Sequence, residues 1–227
     1  MVGAVSELPR AVSAIVFDCD GLLLDTESCW TRAEAALLAR HGLAFGERER
    51  TMMLGRTVDD ICEVIAAMIG RPGHGRDLHD PLMALVEAEL GDHVAPMPGA
   101  CELLGTLAQR LPVAIASNSN RSVLDMVLRS GGMANHVEVI VAADDVDDPK
   151  PHPAPYLAAF ARLGAPPEEG LAFEDSATGV ASARAAGAFV VAVPSDAGVR
   201  LDGDFLTESL ADPRLHRWAR TVAALVG

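Results

Sequence analysis

The amino-acid sequence predicts an α/β fold, in which a parallel sheet with helices on both faces carries a separate all-helical insert. Beyond residue 100, short apolar runs alternate with helical patterns, and this alternation indicates parallel strands joined by right-handed crossovers. Between residues 28 and 94 only helical patterns occur. The first apolar run, Ile15-Val16-Phe17, leads directly to Asp18 and Asp20, which is typical of a buried strand with functional side chains at its exposed end.

Apolar residues at helical spacing predict three helices in the insert. They cover residues 27–40, 57–69 and about 80–90. A capping box of Thr57 and Asp60 is expected to begin the second helix, and Pro81 is expected in the first turn of the third. Pro96 and Pro98 then stiffen a connection. We therefore expect residues 28–94 to form one domain, and residues 1–27 with 95–227 to form another.

The remaining patterns complete the α/β core. Strands are expected at residues 113–116, 137–141, 171–173 and 189–193, the last strand of the sheet. Helices are expected at residues 100–109, 122–129, 155–163, 178–186 and 214–225. Three strands lead into polar residues, at Asp18, at Ser117 and at Glu174. Because the carboxyl ends of parallel strands meet at one edge of a sheet, we expect these side chains to converge there.

The composition indicates a globular protein that does not bind nucleic acid. Half of the 227 residues are apolar, which is enough for a substantial core, and the net charge of −14 repels a polyanion. No cluster of lysine or arginine offsets this charge. No run approaches the roughly 20 apolar residues of a membrane span, and the N-terminal segment lacks the pattern of a signal peptide.

The four cysteines indicate reduced thiols in a cytoplasmic protein. Cys19, Cys29, Cys62 and Cys101 include no Cys-x-x-Cys pair and have no zinc spacing. Cys19 lies between two carboxylates. Its flanking sequence offers no activating histidine, so we expect a small, partly buried spacer at this position.

Asp18 and Asp20 are the first candidates for chemistry. Side chains at positions i and i+2 of an extended segment point the same way, so both carboxylates can reach one small volume. Two like charges this close repel each other unless a cation or a shared proton joins them, and Mg²⁺ would meet that need. The alternative is a simple turn, in which Asp20-Gly21 ends the strand and Asp18 caps the next element.

The continuation of this stretch resembles a known family. Asp18-x-Asp20-Gly21-x-x-x-Asp25-Thr26-Glu27 is similar to the first motif of the haloacid dehalogenase-like (HAD) hydrolase superfamily, in its phosphatase branch with a helical cap. Three further similar motifs follow in the expected order: Ser117-Asn118, Lys150-Pro151-x-Pro153 and Glu174-Asp175-Ser176-x-x-Gly179. The resemblance implies a Rossmann-like core domain, and it makes the helical insert a cap domain that closes over the active site.

The resemblance also implies an aspartyl-phosphate mechanism. Asp18 would be the nucleophile, and Asp20 would give a proton to the leaving alcohol and later take one from water. The dehalogenase branch of the family lacks this second aspartate, so Asp20 favours phosphoryl transfer. Ser117 and Asn118 would bind phosphoryl oxygens, although a serine after a strand is also a common helix cap.

A cofactor and a counter-charge are implied by the same resemblance. Mg²⁺ would be held by Asp18, the carbonyl group of Asp20, Asp175 and Glu174, the last either directly or through water. Asp175 could instead cap the helix that follows it. Lys150 would neutralise Asp18 and the transferred phosphoryl group, and the alternative for it is a solvated loop lysine.

In this family the cap selects the substrate. The candidates for substrate binding in the cap are Trp30, Arg32, Glu34, Arg56 and Thr57. The segment Trp30-Thr31-Arg32-Ala33-Glu34 resembles the branch that acts on sugar phosphates and sugar-alcohol phosphates. The alternative for Trp30 is core packing, because this residue also fits the apolar face of its helix.

Two alternatives to a phosphatase are open. A β-phosphoglucomutase-like sugar phosphomutase shares the core motifs, but it has a histidine near the position of Trp30 and an arginine later than Arg56, so both departures favour the hydrolase. A non-catalytic regulatory or binding protein would be expected to lose Asp18, Lys150 or Asp175, and none is lost. The expected partner is a small phosphorylated substrate, and the expected assembly is a monomer or a weak dimer.

Overall fold

The computed structural model describes residues 7–53, 56, 58–195 and 200–225 of the chain. The chain forms two compact units, one of Met1–Asp25 with Ala95–Gly227 and the other of Thr26–Val94. We refer to them as the core unit and the helical unit. None of the described helices combines the length and the apolar character that a membrane crossing requires.

A parallel sheet forms the centre of the core unit. The strands are β1 Ala11–Val12, β2 Ile15–Phe17, β3 Val113–Ala116, β4 Val139–Val141, β5 Leu171–Glu174, β6 Phe189–Ala192, β7 Phe205–Leu206 and β8 Ala223–Ala224. Within the described residues, six of them form one sheet in the order β4-β3-β2-β5-β6-β7, with every neighbouring pair parallel. β1 and β8 form a separate parallel pair.

Helices alternate with these strands, which confirms the predicted α/β fold. The helices of the core unit are α5 Ala100–Ala108, α6 Arg121–Ser130, α7 Ala154–Leu163, α8 Ala177–Ala186 and α9 Pro213–Ala219. Those of the helical unit are α1 Thr26–Arg40, α2 Glu47–Met53, α3 Val58–Met68 and α4 Arg76–Asp92. Short 3₁₀ helices occur at Ala134–His136, Ala143–Asp145 and Pro167–Glu169.

The central strands are apolar along their whole length because helices cover both faces of the sheet. Every residue of β2, β3 and β5 is buried. The rings of Phe17 on β2 and Phe173 on β5 stack at a centroid distance of 4.5 Å, and Tyr156 and Phe160 of α7 are buried in the same core as Val16. This packing holds the carboxyl ends of β2, β3 and β5 in a fixed relation to one another.

The helical unit has its own apolar core. α1 packs along α4, and α3 packs against α4 as well. Leu37 and Leu38 of α1, Leu82 and Val86 of α4, and Ile65 of α3 are all buried. Leu82 and Val86 are four residues apart on α4, and Leu37 lies four residues after the buried Ala33 on α1. This spacing places them on one face of each helix, which is the pattern that predicted this unit as helical.

Two expectations for the helical unit were wrong. α2 was not predicted, because its sequence is mostly charged and polar and Met53 is its one buried residue. α4 begins at Arg76, so Pro81 lies in its second turn and not in its first. The reason is Leu78, which is buried and continues the apolar stripe of the helix by one turn. The predicted capping box rests on Thr57, which lies outside the described residues.

Two expectations for the core unit were also wrong. β6 is not the last strand, because β7 extends the sheet beyond it. The predicted helix at 214–225 ends at Ala219, and the chain then forms β8. Ala223 N donates to Arg10 O at 3.1 Å, and Leu225 N donates to Val12 O at 3.0 Å. These bonds to a segment two hundred residues away override the helical propensity of the alanines.

Glu34 of α1 is a buried carboxyl group within the helical unit. Only 6% of Glu34 is exposed to solvent. Burial raises the pKa of Glu34 from 4.5 to about 7, and the negative charge of Glu27 adds to this effect. The folded protein therefore binds a proton at Glu34 that the unfolded chain has already lost between pH 4.5 and 7.

We expect Glu34→Gln to stabilise the protein above pH 7 and to have little effect at pH 5. Because the pKa is raised on folding, the stability of the wild type falls as pH rises from 4.5 to about 7, by about 2 kcal/mol once partial solvent screening is allowed for. Urea unfolding of the wild type and the variant at pH 5 and pH 8 measures the difference in their free energies of unfolding. Glu87→Gln, an exposed position on α4, is the matched control and should change neither value. An equal gain for Glu34→Gln at both pH values would contradict the prediction.

Candidate active site

The carboxyl ends of three neighbouring strands create the candidate site. β2 lies between β3 and β5, with Phe17 in register with Ile115 on one side and with Phe173 on the other. Because all three strands run in the same direction, the residues after β2, the residues after β3 and the end of β5 lie at one edge of the sheet. Asp18, Ser117 and Glu174 occupy these positions, as the sequence predicts.

Three carboxyl groups lie close together at this edge. Asp18, Glu174 and Asp175 are all buried, and each has a carboxylate oxygen within 4.8 Å of the others. Burial raises the pKa of Asp18 well above its ordinary value, Lys150 opposes this rise, and the neighbouring acids reinforce it. The pKa of Asp175 is raised to about 6, first by burial and then by Glu174. A compact set of hard oxygen ligands with excess negative charge fits a divalent cation.

Lys150 is the cation of the site and the only lysine in the chain. Its Nζ lies 2.5 Å from Asp18 Oδ1 and 2.5 Å from Glu174 Oε1, and its side chain is 3% exposed. Burial by itself would lower the pKa of Lys150, but the charges of Asp18 and Glu174 and their hydrogen bonds outweigh burial and raise it. The ammonium group therefore remains charged, and the alternative of a solvated loop lysine is excluded.

Asn118 holds the backbone of Lys150. Its Nδ2 donates to Lys150 O at 3.1 Å, and Lys150 N donates to its Oδ1 at 2.9 Å. The peptide bond between Lys150 and Pro151 is cis. The side chain of Asn118 is thus engaged with the lysine loop, while its predicted part in substrate binding stays a prediction.

Asp20 is held by two serines. Ser117 Oγ donates to Asp20 Oδ2 at 2.8 Å, and Ser119 Oγ donates to the same oxygen at 3.0 Å. Ser119 N also donates to Ser117 Oγ, which orients that hydroxyl group. Ser119 is not among the predicted site residues. Its position two residues after Ser117 was an available signal, because such residues share a face of an extended segment.

Glu174 is fixed on all sides. Its Oε1 accepts from Lys150 Nζ and from Tyr156 OH, at 2.7 Å for the tyrosine. Its Oε2 accepts from the backbone N–H groups of Asp175 and Ser176 and from Ser176 Oγ at 3.2 Å. A Cβ atom at Gly179 would overlap the Glu174 carboxylate, so α8 can approach this side chain only with glycine there.

The helix-cap alternatives are excluded for two site residues. Asn120, not Ser117, caps α6, because its side chain accepts from Val123 N. Ser176, not Asp175, caps α8, because its side chain accepts from Gly179 N. Ser117 and Asp175 therefore have their side chains free of these capping roles.

The cysteines play no polar part in this arrangement. Cys19, Cys29 and Cys62 are buried, Cys101 is exposed, and none of the four forms a disulfide bond. Cys19 is fully buried, which corrects the expectation of a partly buried spacer. Burial, together with the negative charges of Asp20 and Asp18, raises the pKa of Cys19 well above its ordinary value, so its thiol stays protonated.

The candidate substrate residues of the cap lie in the helical unit. Trp30 is half-buried, Glu34 is buried and Arg32 is exposed. Arg32 Nε donates to Glu89 Oε2 at 2.6 Å, so its charge is paired. Arg56 is exposed and its Nε donates to Met52 O at 2.6 Å. Thr57 lies outside the described residues, and a substrate role for any of these side chains stays a prediction.

The geometry of the site and the order of the motifs agree with the match of this sequence to a protein family. A sequence profile described as "Haloacid dehalogenase-like hydrolase" matches residues 15–193, which is most of the chain. The chain belongs to this family. The predicted family and the predicted hydrolase class are therefore confirmed.

Individual relatives add detail. The chain is 30% identical over 218 residues to a bifunctional riboflavin kinase/FMN phosphatase of Arabidopsis thaliana, a match that covers 94% of the chain and spans 57% of the length of that protein. It is 30% identical over 192 residues to hexitol phosphatase B of Escherichia coli (strain K12), covering 82% of the chain and 86% of that protein.

A solved structure of a family member supports the assignment of the chain to this family. The crystal structure of a HAD family hydrolase from Deinococcus radiodurans R1, with bound phosphate and sodium, superposes with a TM-score of 0.77. The two sequences are 30% identical, and the match covers 95% of this chain and 100% of that one.

We expect Gly179→Ala to destabilise the core unit, because the added methyl group would displace the Glu174 carboxylate and break its hydrogen bonds. The loss should be about 2–4 kcal/mol, and it should appear as a lower unfolding midpoint in urea. Gly105→Ala is the matched control, since a Cβ atom there would meet nothing closer than 3.9 Å within α5. That variant should be as stable as the wild type or about 1 kcal/mol more stable. Equal stability of the two variants would refute this account of Gly179.

Proposed function

We propose that the protein is a divalent-metal-dependent phosphatase of small phosphorylated metabolites, with a sugar phosphate or a sugar-alcohol phosphate as its substrate. The observation that carries this proposal is the contact of Lys150 Nζ with Asp18 Oδ1, at the sheet edge where Asp20 also lies. A carboxylate nucleophile, a fixed cation and a second carboxyl group are the parts that phosphoryl transfer through an aspartate requires. The relatives named as phosphatases support this reaction class.

The proposed reaction has two steps. In the first, a carboxylate oxygen of Asp18 attacks phosphorus in line, the bond from phosphorus to the substrate oxygen breaks, and Asp20 gives its proton to the departing alcohol. In the second, water attacks the phosphorus of the aspartyl-phosphate and Asp20 takes a proton of that water. The bond from phosphorus to the Asp18 oxygen breaks, so the Asp18 carboxylate is restored and inorganic phosphate leaves. Ser117 and Ser119 keep Asp20 directed towards the reacting group through their bonds to Oδ2.

Charge neutralisation is assigned to Lys150 and to a metal ion. Asp18, the carbonyl group of Asp20 and Asp175 would hold Mg²⁺, which when bound supplies positive charge to the phosphoryl oxygens. Glu174 would reach it through water, because both of its oxygens already accept hydrogen bonds from the protein. The net charge of −14 repels an anionic substrate, so local positive charge is needed at the site itself.

The helical unit is assigned the choice of substrate. Trp30, Arg56 and Thr57, together with Asn118 of the core unit, are the proposed substrate-binding residues. The support comes from the segment Trp30 to Glu34, which resembles sugar-phosphate phosphatases, and from the similarity to hexitol phosphatase B. Phosphomutases have a histidine near the position of Trp30, and this difference favours water over a sugar hydroxyl group as the acceptor of the phosphoryl group. Four cysteines that form no disulfide bond support a cytoplasmic location.

We expect activity to depend on Mg²⁺. Removal of metal with EDTA should abolish turnover, because Asp18, Glu174 and Asp175 then repel one another and the substrate with only Lys150 to offset them. Added Mg²⁺ should restore turnover, whereas Ca²⁺ should inhibit because its looser coordination misplaces the attacking carboxylate. Release of inorganic phosphate measures the rate. Full activity in EDTA would contradict the metal requirement.

Phosphorus NMR separates a hydrolase from a mutase. With β-glucose 1-phosphate or a hexitol phosphate and Mg²⁺, we expect inorganic phosphate to accumulate without a bisphosphate primer. Asp18→Asn, which is nearly isosteric but lacks the nucleophile, should lower the rate by at least about a thousandfold and keep the fold. Accumulation of glucose 6-phosphate with little inorganic phosphate would assign the protein to the mutases. Appreciable turnover by pure Asp18→Asn would rule out the covalent mechanism.

A further inference from the structure

Tyr156 contacts both Lys150 and Glu174, which form one of the two ion pairs of the site. It lies on α7 and is fully buried. Its hydroxyl group donates to Glu174 Oε1 at 2.7 Å, and Lys150 Nζ lies over its ring, 5.1 Å from the centroid. The chain contains one tyrosine and one lysine, and these two residues pack against each other at the site. Tyr156 is not among the predicted site residues, because its position fits the apolar face of α7.

The hydroxyl group of Tyr156 competes with Lys150 for one carboxylate oxygen. Glu174 Oε1 accepts from both, while the second contact of Nζ is to Asp18 Oδ1. The positive end of the hydroxyl dipole offsets part of the negative potential of this oxygen, so the oxygen attracts the ammonium group less strongly than it would alone. Removal of the hydroxyl group would therefore strengthen the hold of Glu174 on the ammonium group and draw it away from Asp18.

The ring of Tyr156 acts on the same ammonium group. The face of an aromatic ring carries negative charge, so it attracts a cation placed above it, and the effect is largest where water is excluded. Lys150 is such a cation, with a side chain that is 3% exposed. The ring thus supports Nζ from the side of α7, while the two carboxylates hold it from the side of the sheet edge.

We propose that Tyr156 is a positioning residue of the phosphatase site, which divides the hydrogen bonds of Glu174 Oε1 so that Lys150 stays on Asp18, the proposed nucleophile. The kinetic part of this proposal rests on the proposed function. The claim that Tyr156 keeps Lys150 Nζ on Asp18 does not rest on it, because that claim concerns contacts within the protein and no reaction.

Core packing alone does not account for a tyrosine at this position. Phe160, one turn further along α7, is also fully buried and packs closely on Gly170 without any polar atom. Phenylalanine at position 156 would fill the same apolar space, whereas a buried hydroxyl group costs free energy unless it is hydrogen-bonded. The hydroxyl of Tyr156 has one partner among the described residues, and that partner is Glu174.

Kinetics of Tyr156→Phe provide the first test. This variant keeps the ring and removes only the hydroxyl group, so we expect kcat to fall about tenfold while KM changes by less than about twofold. Phe160→Leu is the matched control on the same helix, and it should lower the unfolding temperature and leave kcat within about twofold of the wild type. A kcat for Tyr156→Phe within twofold of the wild type, or an equal fall in Phe160→Leu, would overturn the proposal.

NMR of labelled lysine provides the second test. Because Lys150 is the only lysine, protein labelled at lysine Cε gives one side-chain signal. In metal-free protein this signal should shift in Tyr156→Phe and coincide with the wild type in Phe160→Leu. An unchanged signal in Tyr156→Phe overturns the proposal even if kcat falls. If the wild type hydrolyses no phosphate ester, the proposed function fails by itself, and the lysine signal then decides the positioning role alone.

Discussion

The ammonium group of Lys150, shared between Asp18 and Glu174, is the interaction on which the rest of the site depends. Burial of several carboxyl groups at one sheet edge is unfavourable, because each loses its hydration and each repels the others. One buried cation at hydrogen-bond distance from two of them offsets part of this cost. Burial, together with the remaining negative charge, keeps the pKa values of Asp18 and Asp175 raised, and that charge leaves the site complementary to a metal ion.

Much of the surrounding structure serves to hold this ion pair. Asn118 fixes the backbone of the lysine, and Ser182 of α8 donates to His152 O at 2.6 Å, which ties the lysine loop to the helix after β5. Two close approaches need glycine. Gly179 leaves room for Glu174, and Gly21, with a φ of +78°, lies where a Cβ atom would come within 2.5 Å of Asp175 Oδ2. These hydrogen bonds and close contacts hold the side chains of the site in place, as electrostatic catalysis requires.

The fold was largely predictable, and each error of the prediction has a physical cause. Strand and helix periodicities are local, so the β/α alternation and the helical insert could be derived from short windows of sequence. The pairing of β8 with β1 could not, because it depends on backbone hydrogen bonds between the two ends of the chain. The early start of α4 was predictable in principle, since Leu78 continues the stripe of Leu82, but Pro81 was given more weight.

For the site, the sequence by itself determined which residue types stand at the strand ends and in what order, and hence the identity of the acids, Lys150 and the family. This succeeded because each motif is a short run whose chemistry depends on adjacent residues. Only the tertiary structure decided the partners: that Ser119 joins Ser117 on Asp20, and that Tyr156 contacts Lys150. These contacts join segments far apart in the chain, and a buried tyrosine or a loop serine has no local pattern that distinguishes it from packing or from a turn.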